Sequence, residues 1–313
     1  MLLALILTFL KNVIYGASVF FTGALSASVD VLDILALRFL LSFLALYLLK
    51  VTKILNINVG LRDLFQKTPR HTYIKSLLLA ALFEPVLYML FETAGIFMTT
   101  GITAGVILSL NPISSCICEE IILKEKSTWL QKLLLGLGIF GVIYIALNTT
   151  ASGGKDTPLG ILLILLAVIC GSLFLVFSRK SSAQFTSFET TYFAVLLGAI
   201  VFNGVNVIRH LVQGDILQYF TPYFQVENMV GFVFLSILST IVATSMNNYA
   251  LSKIQVSTVS SFSGVSTLVT ILIGVLVSGE KLYTFHAIGL SLIVLRMVGV
   301  SYLDIQKRKR RTE

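Results

Sequence analysis

EPVLYMLFETAGIFMTTGITAGVILSLNPISSCICEEIILKE, residues 84–125, decides the fold. Two apolar runs meet inside it, each close to the roughly 20 residues that a helix needs to cross a bilayer. In a helix Glu84, Tyr88 and Glu92 recur every four residues, so two carboxyl groups and a phenol share one face of the first run. An ionised side chain at the bilayer centre costs roughly 2.5 to 3.5 kcal/mol on insertion scales, so such a stripe faces a polar cavity or a partner and marks a candidate site. In the second run Pro112 removes one backbone hydrogen bond and frees a carbonyl. Asn111, Ser109, Ser114 and Ser115 are then either ligand groups around a kink or partners that satisfy it.

Outside this stretch the chain has the same character. Hydrophobic residues make up 56% and charged residues only 12%, against about 25% charged in soluble domains. Mean hydropathy is +0.93. Bilayer-length runs recur from end to end without the alternation of barrel strands, so the chain reads as an all-α polytopic membrane protein. The expected spans are 2–25, 32–50, 73–96, 100–123, 129–148, 157–178, 188–211, 228–250, 256–278 and 283–303. The longest connections are 51–72 and 212–227.

Basic residues orient these ten helices, because Lys and Arg collect on the cytoplasmic side. Of the 23 Lys and Arg, Lys155, Arg209 and Lys281 fall on one side, Lys11, Arg38 and Arg296 fall within spans, and the rest fall on the other side. Both termini are therefore expected in the cytoplasm, with the plasma membrane as the expected location. The formal charge of +8 reports topology and contact with anionic headgroups, and excludes nucleic acid as a partner. Cys116, Cys118 and Cys170 have no metal-ligand spacing and read as packing thiols. His71, His210 and His286 do not read as ligands, and neither a metal nor another cofactor is expected. The opening MLLALILTFLKNVIYGASVFF lacks a cleavage site and is expected to stay in the membrane.

The Gly/Lys/Asp segment from Ser152 to Pro158 divides the spans into two halves of five, 1–150 and 155–305, ahead of a basic tail at 306–313. Residues 104–147 resemble 260–303 in general course, and Glu125-Lys126 matches Glu280-Lys281. Earlier in the halves an offset of 156 residues fits better and lays Glu84, Tyr88 and Glu92 over Thr240, Thr244 and Asn248. Halves with an odd number of spans insert upside down relative to each other. Inverted repeats enclose a substrate site near the midplane, which rocking exposes to each side in turn.

Tyr15-Gly16-Ala17-Ser18 in the first span, Arg38-Phe39 in the second, Pro112 followed thirteen residues later by Glu125, and Gly279-Glu280-Lys281 together resemble the drug/metabolite transporter superfamily, specifically the EamA-type permeases. The resemblance implies a permease whose central cavity is lined mainly by spans 1, 3, 4, 6, 8 and 9, with substrates among amino acids, other metabolites and drugs. Tyr15 stands where the family usually has Trp, and the paired acids are not general to it.

The candidate substrate-binding or coupling residues are therefore Glu84, Tyr88, Glu92, Asn111, Thr240, Thr244 and Asn248, with Lys11, Tyr15, Arg38 and Ser109 as secondary candidates. Lys11 either pairs with an acid, binds an anionic substrate group or snorkels to the interface; Arg38 either snorkels or gates. Glu119 and Glu120 read as a solvated cluster near the cytoplasmic end of the fourth span, and Glu125 and Glu280 as fold or gating elements. Ser257, Ser260, Ser261 and Gly264 read as close-packing residues. The acids favour amine-bearing substrates such as amino acids, exported or exchanged, with proton coupling open. A nucleotide-sugar or phosphosugar carrier would instead need several cavity bases. A membrane-embedded enzyme or lipid-handling protein is the reading of another class, and no nucleophile pair or phosphate loop supports catalysis. The expected partners are a small-molecule substrate and membrane lipids, with a homodimer left open.

Overall fold

The computed structural model describes residues 2–57, 71–108, 110–124 and 156–277, with isolated positions within 129–144 and 284–303. Eight helices among them are long and apolar enough to span a membrane: α1 (Leu2–Leu25), α2 (Val31–Val51), α3 (Tyr73–Phe97), α4 (Thr103–Leu123), α5 (Pro158–Ser181), α6 (Ser187–Gln213), α7 (Val226–Lys253) and α8 (Val256–Leu276). Each lies within three residues of an expected span, and the described residues contain no strand. The other two expected spans, 129–148 and 283–303, fall mostly outside the described residues. Ser109, Glu125, Glu280, Arg296 and the basic tail fall wholly outside them.

Local chemistry sets the helix ends. The Thr157 side chain accepts the Gly160 N–H at 3.1 Å and Pro158 fills the first turn of α5, where its missing N–H costs nothing. Thr186 and Glu189 form a reciprocal capping box on α6. That helix ends at Gly214, whose φ of 77° suits a residue without Cβ.

The helices before residue 150 pack largely on those after it. α1 lies against α7 and α8, α2 against α6 and α7, α3 against α5, and α4 against α5 and α8. Glycine makes the closest of these approaches possible. A Cβ on Gly16 would stand 2.5 Å from the Ser266 carbonyl oxygen, and Thr270 Oγ1 donates to the Gly16 carbonyl at 3.0 Å. Ile34, Leu35, Phe39, Leu46 and Phe232 fill one core, while Ile200, Ile208, Leu211 and Val212 of α6 point outward as a lipid-facing side. The chain is a multi-pass membrane protein.

Four of the described helices are irregular part-way along, α8 by a turn at Phe262 between Val256–Ser261 and Ser263–Leu276. α3 kinks where Glu84 (φ −140°, ψ 119°) precedes Pro85, since the ring disfavours helical backbone in the residue before it. α7 is wound wide over Phe234–Ala243, and there Thr240 Oγ1 donates to the Leu235 carbonyl five residues back. α4 turns at Leu110, ahead of Asn111 and Pro112. The 156-residue offset sets Glu84 on Thr240, so α3 and α7 are disrupted at corresponding places. Such interruptions persist in a membrane where protein or a polar cavity satisfies the freed backbone groups.

Candidate functional site

The disrupted parts of α3, α4 and α7 surround a cavity of about 80 Å³ together with α1, α2, α5 and α8. One water needs roughly 10 to 15 Å³ of such space, so there is room for several waters or a small polar solute. Lys11 and Tyr15 enter from α1, Arg38 from α2, Glu84, Tyr88 and Glu92 from α3, and Asn111 from α4. Seven of the residues expected from sequence thus meet in one place.

The two bases do not snorkel. Arg38 is 2% exposed and Lys11 5%. Arg38 Nε donates to Thr240 Oγ1 at 2.7 Å, and an Arg38 terminal nitrogen donates to Ser239 Oγ at 3.0 Å. Lys11 Nζ donates to Asn247 Oδ1 at 2.7 Å and stands 5.4 Å from the centre of the Tyr15 ring. The guanidinium of Arg38 and the ammonium group of Lys11 are thus fixed by neutral oxygens on α7. This leaves each charge uncompensated by its direct partners.

Glu84 and Glu92 are half-buried and face this space. Tyr88 donates its hydroxyl to Glu92 Oε1 at 2.7 Å, fixing that carboxyl group from the preceding turn. Glu84 is within electrostatic reach of Lys11 and Arg38, and Glu92 of Arg38. No direct ion pair joins these acids to these bases among the described residues. The cavity therefore holds two acids and two bases that are near one another without a direct ion pair.

Asn111 closes one wall. Ser115 of α4 and Ser172 of α5 both donate to its Oδ1, at 3.0 and 3.2 Å, which ties the Asn111 side chain to α5. Gly171 of α5 lets the Tyr88 ring lie close, because a Cβ there would stand 3.1 Å from two ring carbons. Ser260, Ser263 and Ser266 of α8 line the opposite wall. The buried Ser263 hydroxyl has no partner among the described residues.

The neutral stripe on α7 departs from expectation. Thr240 and Thr244 border a narrow cleft beside Glu84 and do not line the main cavity. They act from behind it: Thr240 holds Arg38, and Thr244 Oγ1 lies 3.3 Å from the Tyr15 hydroxyl. Asn248 does not reach the cavity. Its Oδ1 accepts from Ser178 at 2.8 Å and its Nδ2 donates to Thr191 at 3.0 Å, joining α5, α6 and α7. Asn247 takes the cavity position instead. Each wide turn in α7 rotates the following residues relative to a regular helix, so a four-residue stripe carried through it misses by one. Sequence reasoning also passed over Ser239, Asn12 and Met89, which line the cavity; the polar Asn247-Asn248 pair in an apolar span was the available signal.

Glu119 is a second correction. It is 3% exposed, not solvated, and its carboxylate accepts the Val256 and Ser257 N–H groups at 3.2 and 3.1 Å.

Comparison with known proteins agrees with the geometry. The sequence pattern of the EamA-like transporter family matches residues 2–147 and again 158–302. An uncharacterized transporter of Bacillus subtilis (strain 168), YcxC, is 29% identical over 308 residues, covering 98% of this chain and 95% of that protein. An uncharacterized transporter of Archaeoglobus fulgidus is 26% identical over 231 residues, covering 72% of this chain and 76% of its own length. One protein crystal structure shares the fold with a TM-score of 0.67 at 15% identity, covering 97% of this chain and 98% of that one.

Proposed function

The chain belongs to the EamA-like transporter family, and we propose that it moves small zwitterionic metabolites, amino acids first among them, across the plasma membrane by alternating access. The observation that carries this reading is one cavity lined by two bases, Lys11 and Arg38, and two acids, Glu84 and Glu92, with no direct ion pair between them among the described residues. A substrate carboxylate meets the bases, held by Asn247, Ser239 and Thr240, and an ammonium group meets the acids beside Tyr88 and Tyr15. The acids alone would favour any amine; the two buried bases narrow the class to compounds that carry both charges.

The twofold family match supports two five-helix repeats of opposite orientation, with the cavity between them and both termini in the cytoplasm. The family, like the names of the relatives, indicates a transporter and not an enzyme. A nucleotide-sugar or phosphosugar carrier draws support from the same two bases, but Glu84 and Glu92 would repel phosphate in so small a space.

The test is counterflow in liposomes containing the purified protein and preloaded with unlabelled amino acids. Labelled amino acid should accumulate transiently with the parent and not with Glu92→Gln, while the variant still elutes as folded protein. Accumulation at the parental rate in Glu92→Gln would sink the proposal.

A further inference from the structure

Glu119 stands two turns along α4 from Asn111, towards the membrane face that carries Lys124, Arg179, Lys180 and Lys253. There it reaches from the first half of the chain to the second and binds the first turn of α8, one oxygen on the Val256 N–H and the other on the Ser257 N–H. α8 supplies no side-chain cap of its own at Gln255. The carboxylate does that work, in the favourable place for a negative charge at a helix start. One turn further along α8, Val259 and Ser260 line the cavity. Beside the cavity, which Gly105 and Thr270 also line, the same two helices meet again, and Thr267 Oγ1 donates to the Gly105 carbonyl at 3.1 Å.

From this we infer that Glu119 is the latch of the gate between the cavity and the basic face, a positioning residue that sets how readily α4 and α8 part on that side. The inference rests on the alternating-access reading, because only a moving pair of helices needs a latch. At the basic face the Glu119 carboxyl group makes two bonds to backbone donors of α8, and beside the cavity Thr267 makes one to the Gly105 carbonyl. Parting the two helices on the basic side therefore requires both Glu119 bonds to break.

The experiment measures access to Ser260→Cys in a background where Cys116, Cys118 and Cys170 are Ser, using a membrane-impermeant maleimide on sealed right-side-out and inside-out vesicles. With Glu119 intact, labelling from the basic face should be slow. Glu119→Ala should raise it several-fold without raising labelling from the opposite face, and Glu119→Gln, which keeps one acceptor oxygen, should fall between. Should the alanine variant fail to reach the membrane, the glutamine variant alone decides. Equal labelling from the basic face in parent and variants, or an equal rise from both faces, would overturn the latch. Position 260 reacting from neither face in any variant would overturn the cavity as a transport path as well; reaction from the opposite face alone, unchanged by Glu119, would overturn the latch and leave the path standing.

Discussion

α3 and α7, which the 156-residue offset pairs, are both disrupted part-way along, yet they do different work. α3 presents Glu84, Tyr88 and Glu92 to the cavity. α7 places Thr240 and Thr244 behind it, where they hold Arg38 and Tyr15, and turns Asn248 away into packing with α5 and α6. The two helices share an interrupted course and use it differently. One exposes the charges that meet a ligand, and the other supplies the neutral oxygens that aim charges from α1 and α2.

Exchanging an acid on α3 breaks that division at its strongest point. Glu84→Gln removes the acid within reach of Lys11 and one of the two within reach of Arg38. A hydrogen bond from a substrate ammonium group to a carboxyl group is worth roughly 1.5 to 3 kcal/mol, so transport should fall by about 30-fold or more in a counterflow assay; a variant within twofold of the parent would mean that α3 is packing like α7.

The supporting role of α7 is tested by Thr240→Val, which keeps the shape and removes the acceptor of Arg38 Nε. An unsatisfied buried donor costs roughly 1 to 3 kcal/mol, so substrate affinity should drop by about 10-fold in a binding titration, less than for Glu84→Gln. A loss as large as that of the acid would put Thr240 in direct contact with substrate.

Gly171→Ala sharpens the picture on the α5 side, since its Cβ would press on the Tyr88 ring. The ring must move by a few tenths of an ångström, loosening its bond to Glu92, and KM should rise about threefold, with a loss of stability of roughly 1 to 3 kcal/mol from the overpacking. The smallest functional effect belongs to Asn248→Ala. It removes two interhelix bonds worth roughly 0.6 kcal/mol each in a membrane protein, which should lower thermal stability slightly and leave substrate affinity where it was.

Much of the fold was legible because bilayer length is a strict requirement and the apolar runs obey it; eight expected spans differ from the observed helices by at most three residues at either end. The acid stripe was legible for the same reason, since lipid tolerates no idle carboxyl group. Lys11 and Arg38 were ambiguous because a long basic side chain near a helix end can snorkel or turn inward. Only Asn247, Ser239 and Thr240, remote in sequence, decide between the two. Asn248 was misread because a regular helix was carried through Phe234–Ala243, whose wide winding has no sequence signature comparable to proline. Glu119 was misread because its partners are backbone N–H groups on α8, which no pattern of side chains announces.

The central claim, one cavity whose acids and bases together take a zwitterion, is tested most directly by thermal unfolding of the detergent-purified protein with amino acids, their N-acetylated and carboxamide derivatives, polyamines and nucleotide sugars, repeated on Glu92→Gln. A ligand at one hundred times its dissociation constant stabilises by roughly 2.7 kcal/mol, which is readily detected. The account predicts that one or more free amino acids raise the midpoint, that blocking either end abolishes the effect, and that Glu92→Gln loses it. Equal stabilisation by an N-acetylated or carboxamide derivative, or by a nucleotide sugar, would contradict it.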